Sequence, residues 1–487
     1  MMAAYQERLD VLFVVPRNPS TFDIVSGAYT VTAPLGVAYV AGYLREKKYR
    51  VAIIDDNIER ATKEGFKEYL KKCKPRFVGF SVLTPSVDNA VAFAEIVKDT
   101  VRDTKIFAGG AHASALPEDL LKHPCFDVVV KGEGEVTALE LIESLDAGES
   151  LENVRGIVYR KEARCIENAD RPFIADLDAL PMPAYDLLPM EKYFVSSTRK
   201  LAAGRAGSII TSRGCSYQCS FCSQSVFRRE VRYRSPGSVL KEIRYLSDIY
   251  GISEFVIWDD TFTTNERHAV EISKGVKAIK RDLVWSCYSR VEQASDRMYQ
   301  ALYDGGCREL SFGAESGSQM ILDSICKNVK VEDIEKAVQC CKRNGLKSFC
   351  CFVFGFPGET AETIQKTIQF AITIDPDFVS FCIFTPLPGS KLFSDAVQRG
   401  LINLDHVEWS RFMCLMSTCP PPVNMSGISS ADLILSQKKA FMKFYFRPKY
   451  IFLRLFQLKT KDSIYQLWRG CRTILKYLNY RVTTQDE

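Results

Sequence analysis

The stretch TSRGCSYQCSFCSQSVF, residues 211–227, sets Cys215, Cys219 and Cys222 four and then three positions apart in one segment. Thiolates are ligands for zinc and for iron–sulfur clusters. A structural zinc site closes with four ligands, and none of the four histidines, at positions 112, 123, 268 and 406, lies near this loop. A cube-shaped 4Fe–4S cluster also takes four ligands, so three cysteines leave one iron with an open position. That opening is a handle for a second molecule, and the spacing favours a cluster over zinc. Cys340, Cys341, Cys350 and Cys351 invite the idea of a second cluster. Neighbours on a strand point to opposite faces, so Cys350 and Cys351 cannot share a site, and buried packing is their expected use.

The loop must be positioned by its surroundings. Residues 203–400 alternate apolar runs with helical patterns, the runs being GSIITS (207–212), EFVIWD (254–259), VWSCYS (284–289), RELSFG (308–313), SFCCFVFG (348–355) and FVSFCIF (378–384). Six strand–helix units predict a partial (β/α)6 barrel of the TIM type, with its active site at the carboxyl ends of the strands. The cysteine loop follows the first of these strands and so opens at that end.

Residues 1–175 alternate as well, with strands expected at 9–15, 50–56, 77–83, 105–111 and 126–135. This rhythm predicts an α/β, doubly wound, Rossmann-like parallel sheet. Ligands on such sheets sit where strands turn into helices. Those turns hold Ser81, Thr84, Gly109, Gly110, Gly132 and Gly134, small enough for the backbone to approach a large flat ligand. The alternative is a set of ordinary strand-to-helix turns. Residues 176–202, with Pro181, Pro183 and Pro189, predict a linker along the surface, and residues 401–487 a basic helical region.

Bulk properties agree with a multidomain globular protein: 487 residues, 46% apolar and 25% charged. No run approaches 18 apolar residues, and the start lacks the basic region and cleavage site of a signal peptide, so a cytoplasmic location with reduced thiols is expected. From Lys438 to Arg481 twelve Lys or Arg face one acid, Asp462, a local +11 that leaves the rest of the chain at −6.

The cysteine spacing, with Phe221 beside the last cysteine, resembles the C-x3-C-x2-C signature of the radical S-adenosylmethionine (SAM) superfamily. In that superfamily three cysteines hold a 4Fe–4S cluster, the fourth iron chelates SAM, and an electron from the cluster cleaves SAM to a 5′-deoxyadenosyl radical. The resemblance implies further contacts at successive strand ends. WDDTF (258–262) offers Asp259 and Asp260 to the SAM amino group; YSR (288–290) and GAES (313–316) offer Arg290 and Glu315 to the ribose and carboxylate. GFPGET (355–360), through Gly355 and Gly358, matches the turn that packs the adenine. No catalytic residue beyond the cluster ligands is implied.

The segments APLGVAYVAGYLRE, GGAHAS and VVVKGEGE resemble the cobalamin-binding domain that one branch of the superfamily carries ahead of its barrel. One departure is that no histidine here has the D-x-H-x-x-G context, which implies cobalt bound without a protein histidine. The loop CSFCSQSVFRREVRYRSP is similar to the anaerobic magnesium-protoporphyrin monomethyl ester cyclase group, whose relatives methylate chlorophyll-type macrocycles or hopanoid-like lipids. The implied function is methylation of an unactivated carbon of a tetrapyrrole or isoprenoid-like substrate. Oxidative cyclisation is the enzymatic alternative, and a cobalamin or iron sensor the non-enzymatic one. The implied partners are a small-molecule or lipid-like substrate and an electron donor such as flavodoxin or ferredoxin. No nucleic-acid module accompanies the basic tail. Its Lys443, Arg447, Lys449 and Arg454, interleaved with aromatics, could meet an anionic membrane surface, or the helices could cap the barrel.

Overall fold

Runs such as VLFVV and VAIID are β-branched and apolar on both sides, so each strand they form needs cover on both faces. In the computed structural model, which describes residues 8–18, 30–162, 164–196, 199–202, 204–279, 282–413, 420–456, 468 and 472, two sheets provide that arrangement. The first holds β1 (Val11–Val15), β2 (Val51–Asp55), β3 (Phe77–Ser81), β4 (Lys105–Gly109), β5 (Val128–Val130), β6 (Ile157–Lys161) and β7 (Arg164–Glu167), in the order β2-β1-β3-β4-β5-β6-β7. β1 to β5 are parallel and doubly wound, as expected. β6 and β7 add an antiparallel hairpin at one edge. It was not expected, because its second strand is short and half polar, RCIE.

After β8 (Arg205–Ile209) come β9 (Ser212–Arg213) and β10 (Arg232–Tyr233), which pair antiparallel. Then follow β11 (Ile252–Ile257), β12 (Val284–Ser289), β13 (Cys307–Glu315), β14 (Lys347–Phe354) and β15 (Phe378–Ile383). β8 and β11 to β15 form one parallel sheet in sequential order, β15-β14-β13-β12-β11-β8, the six-stranded partial barrel. Helices cover its outer face; Ser235 caps the helix Pro236–Tyr250, and Gly251 ends it in the left-handed region.

The proline-rich connection from 176 to 202 does not merely lie along the surface. It buries Leu177, Tyr185, Met190 and Tyr193. The Tyr185 hydroxyl donates to Glu242 on the barrel side at 2.5 Å, and the Tyr193 hydroxyl to Asp55 at the end of β2 at 2.9 Å. Its apolar positions have no regular period, so the sequence pattern concealed their burial. One continuous apolar core contains residues of both sheets and of this connection.

The helix Ser430–Tyr445 closes the β15 edge: Gln437 donates to the Phe381 carbonyl at 2.7 Å, and the Tyr445 hydroxyl to the Val379 carbonyl at 2.7 Å. No helix among the described residues is long and apolar enough to cross a membrane. The Arg454 side chain and residues 457–467 of the basic tail lie outside the described residues.

Candidate active site

The β9–β10 pair clasps the cysteine loop at its base, through Arg213 opposite Arg232 and Ser212 opposite Tyr233. Gly214 has φ +91°, and a Cβ there would run into the Glu230 carbonyl, so only glycine fits this turn. Gln224 Nε2 donates to the carbonyls of Cys215 and Tyr217 at 3.1 and 2.9 Å, fixing the loop from within. Ser223 donates to the Pro388 carbonyl and Ser225 to the Ala111 carbonyl, so the loop also touches the first sheet's rim.

The three thiols gather here, Cys215 and Cys219 half-buried and Cys222 on the accessible side. Burial raises the Cys215 thiol, helped by Asp260 and Cys219. The protein mass around Cys222 pushes its thiol up to about 12, with Asp260, Cys219 and Cys215 adding repulsion. Raised thiols at Cys215 and Cys222 are unsuited to being free thiolates, and a cationic iron–sulfur core would offset the negative charge gathered there. Among the described residues no three His, Cys, Asp or Glu side chains converge to hold a single metal ion. A cube takes each thiolate on a separate iron, and three thiols carried on one clasped loop with no histidine beside them are a donor set of that kind.

Of the two expected SAM carboxylates, Asp259 is committed to the protein. It is buried and accepts from Thr211 N at 2.6 Å, Thr211 Oγ1 at 2.5 Å and Ser212 Oγ at 2.7 Å, which braces the turn out of β8. Asp260 is exposed beside the cysteines, and burial of its surroundings followed by the Asp259 charge raises its carboxyl. It is the one of the pair with an accessible carboxylate.

Arg290 is likewise engaged within the protein. Its Nε donates to Glu292 at 2.5 Å, Nη2 to the Lys327 carbonyl at 2.7 Å and Nη1 to the Cys219 sulfur at 3.6 Å, and its plane lies 3.6 Å from the Tyr217 ring centre. Glu315 is buried with φ +59°, rare for a bulky residue, and pairs with Lys327 Nζ at 2.8 Å. Gly355 and Gly358 shape the turn after β14. Glu359 grips that turn, accepting from Gly355 N at 2.6 Å and Phe356 N at 3.3 Å, while its other oxygen, Oε1, has no hydrogen-bond partner among the described residues. Phe356 meets Phe221 of the cysteine loop at 5.4 Å. The structure thus brings Asp260, Arg290 and Glu315 around the loop, with the glycine turn against it.

Along β14 buried and partly accessible positions alternate strictly. Cys350, Phe352 and Phe354 of β14 are buried under helices, while Phe349, Cys351 and Val353 face the concave side and stay partly accessible. Trp258 and Tyr288 share that side with ring centres 5.4 Å apart. Arg199, from the connection, enters it to pair with Glu309, donate to Ser311 Oγ at 2.8 Å and lie 4.1 Å from the Phe349 ring centre.

On the first sheet, Ser81 and Gly109 are register partners at the strand ends. Gly110 has φ +100°, and a Cβ would come within 2.9 Å of the Val82 carbonyl. Thr84 bonds His112 Nδ1 at 3.3 Å, and His112 Nε2 meets Asp119 at 3.1 Å, so both nitrogens of this buried ring are occupied. Gly132 faces Val226 of the cysteine loop, whereas Gly134 faces Val40 on the helix Leu35–Glu46 of its own domain.

The residues between and after these glycines were the larger surprise. Glu133 takes Arg213 at 2.7 Å and Arg232 at 2.8 Å, and Glu135 takes Arg213 at 2.6 Å, all at most 7% exposed. In the segment GEGE the glycines shape the turn, while the carboxylates clamp Arg213, two residues before Cys215. Alternating acid beside glycine at a strand end, with an arginine next to the cysteine motif, was the available signal.

A B12-binding domain model matches residues 23–142, and a radical SAM superfamily model matches residues 209–371. The chain is 35% identical over 451 residues to an uncharacterised methyltransferase of Pyrococcus horikoshii, covering 92% of this chain and 95% of that one. It is 30% identical to the anaerobic magnesium-protoporphyrin IX monomethyl ester cyclase of Rubrivivax gelatinosus, covering 79% of this chain and 69% of the cyclase. In fold it resembles the radical SAM methyltransferase TsrM of Kitasatospora setae, solved with cobalamin and a 4Fe–4S cluster (TM-score 0.66, 19% identity, 81% of this chain and 75% of that one). It also resembles the cobalamin-dependent radical SAM enzyme OxsB (TM-score 0.75, 18% identity, 96% of this chain and 72% of that one). A sensor without chemistry does not fit this company. The two matched domains, the clasped cysteine triad and the kinship over nearly the whole chain agree: the chain belongs to the cobalamin-dependent radical SAM methyltransferase family, enzymes working with a 4Fe–4S cluster, SAM and cobalamin.

Proposed function

We propose that the protein methylates an unactivated carbon of a flat, largely apolar substrate held on the concave side of the partial barrel. The observation that carries this is the half-accessible lining of Trp258, Tyr288, Phe349 and Val353, on the same face as Arg290 and Glu315 and below the cysteine loop. Aromatic side chains offer stacking surfaces, and a water-poor lumen shields reactive carbon. Together the bound groups supply a 5′-deoxyadenosyl radical and a transferable methyl group. Cys215, Cys219 and Cys222 hold the cluster, Asp260 takes the SAM amino group, and the Gly355–Gly358 turn receives the adenine. Ser81, Thr84, Gly109, Gly110, Gly132 and Gly134 border the cobalamin, and the functional boundaries are those at residues 175, 202 and 400.

Relatives act on varied substrates. One is named a hopanoid C-3 methylase, another a bacteriochlorophyllide d C-12(1)-methyltransferase. A tetrapyrrole or isoprenoid matches the aromatic lining here. The electron comes from a flavodoxin- or ferredoxin-type donor. Arg447 and Lys449 are tied to Asp375 at 2.9 Å each, so a peripheral membrane contact rests on the exposed Phe446, Ile451 and Phe452. Vesicle co-sedimentation with and without residues 438–487 tests it.

The function is tested by product mass. Reconstituted enzyme with a candidate substrate should yield a product heavier by one CH2, and Trp258→Ala should raise KM. A product that has lost hydrogen without gaining CH2 assigns oxidative cyclisation instead; the Rubrivivax relative is named a cyclase.

A further inference from the structure

Arg290 stands apart from the other charged groups around the cysteine loop because one of its donors reaches a cluster-ligand sulfur. Nη1 lies 3.6 Å from Cys219 Sγ, within reach of a hydrogen bond to sulfur. The other donors are fixed by Glu292 and by the Lys327 carbonyl, and Tyr217 backs the guanidinium plane. The side chain is 6% exposed and Glu292 27%. Lys327 is buried nearby, but Glu315 neutralises it at 2.8 Å. Among the described cations, Arg290 is the one in hydrogen-bond contact with a triad sulfur.

We propose that Arg290 is a redox-tuning residue: its guanidinium, held against Cys219, raises the reduction potential of the bound cluster, and Glu292 sets how much of that charge is felt. One-electron reduction adds one negative charge to the cluster and changes no covalent bond. The electron is supplied from outside by a low-potential one-electron donor. A buried cation bonded to a ligand sulfur stabilises the reduced state more than the oxidised one, because hydrogen bonds to sulfur and local net charge set cluster potentials. A carboxylate bonded to that cation opposes it. The arrangement therefore contains two handles of opposite sign on one cluster.

The test is a redox titration of reconstituted full-length protein without SAM, followed by electron paramagnetic resonance and normalised to iron and sulfide content. Omitting SAM separates this role from any SAM contact. Arg290→Met should lower the potential, with the reduced-to-oxidised ratio at fixed potential falling about tenfold, ~59 mV for one electron. Arg290→Lys should lie between that variant and the wild type. Glu292→Gln should move the potential upward. An Arg290→Met protein with full cluster content and an unchanged potential overturns the proposal. If that variant fails to retain a cluster, Glu292→Gln decides: an upward shift supports the proposal, and an unchanged or lower potential overturns it.

Discussion

The rim of the partial barrel is built from charged side chains, and the rim of the first sheet is built largely by omitting side chains. Around the cysteine loop stand Asp259, Asp260, Arg290, Glu315 and Lys327, mostly buried and bonded to one another or to backbone. At the ends of β3 and β4 stand Ser81, Gly109 and Gly110. On the proposed assignment of the sites, the contrast follows from what each would hold. A cluster and the charged ends of SAM need preorganised charge, whereas a broad macrocycle needs close approach of backbone. Errors at the first rim are therefore electrostatic, and errors at the second are steric.

The largest expected effect breaks the barrel rim outright. Cys219→Ala should remove cluster absorbance and SAM cleavage together; a variant cleaving SAM at the wild-type rate would overturn the triad. Next comes the clamp joining the two rims. Arg213→Met leaves Glu135 buried without its cation and should cost about 3–5 kcal/mol in denaturant unfolding. Adding Glu135→Leu should return part of that loss.

Glu359 gives a smaller, pH-dependent effect. Burial lifts its carboxyl from 4.5 to about 7. The folded state then holds its proton more tightly than the unfolded one. Stability from this group is greatest below the unfolded value and declines as pH rises through about 7, by up to ~3 kcal/mol. Glu359→Gln should flatten that decline, measured as Tm between pH 5 and 8. Last is the steric test: Gly110→Ala, strained at φ +100°, should cost ~1–3 kcal/mol and weaken cobalamin binding while leaving cluster content intact.

The parallel strands of both sheets are legible because a continuous apolar run between glycine-rich turns has few alternatives, and the cysteine spacing points to a cluster. The side-chain partners were not. Asp259 and Asp260 are adjacent and identical in type, and only the fold turns one toward Thr211 and leaves the other in the cleft. Arg199 and Lys327 lie far from any motif and arrive through tertiary contact. The β6–β7 hairpin was missed because RCIE carries little strand signal on an exposed edge. Local pattern encodes elements; the pairing of distant charges is encoded only jointly.

The apolar core that runs without interruption through both sheets and their connection has a consequence for how the chain can be divided. A fragment ending near residue 175 would keep all seven strands of its sheet yet lose Tyr185, Met190 and Tyr193 from its packing and both arginines that satisfy Glu133. The two halves are separable on paper by sequence family but not by folding, so calorimetry of the whole chain should show them melting as one cooperative unit. A graft of either half onto another scaffold would have to carry the shared seam with it.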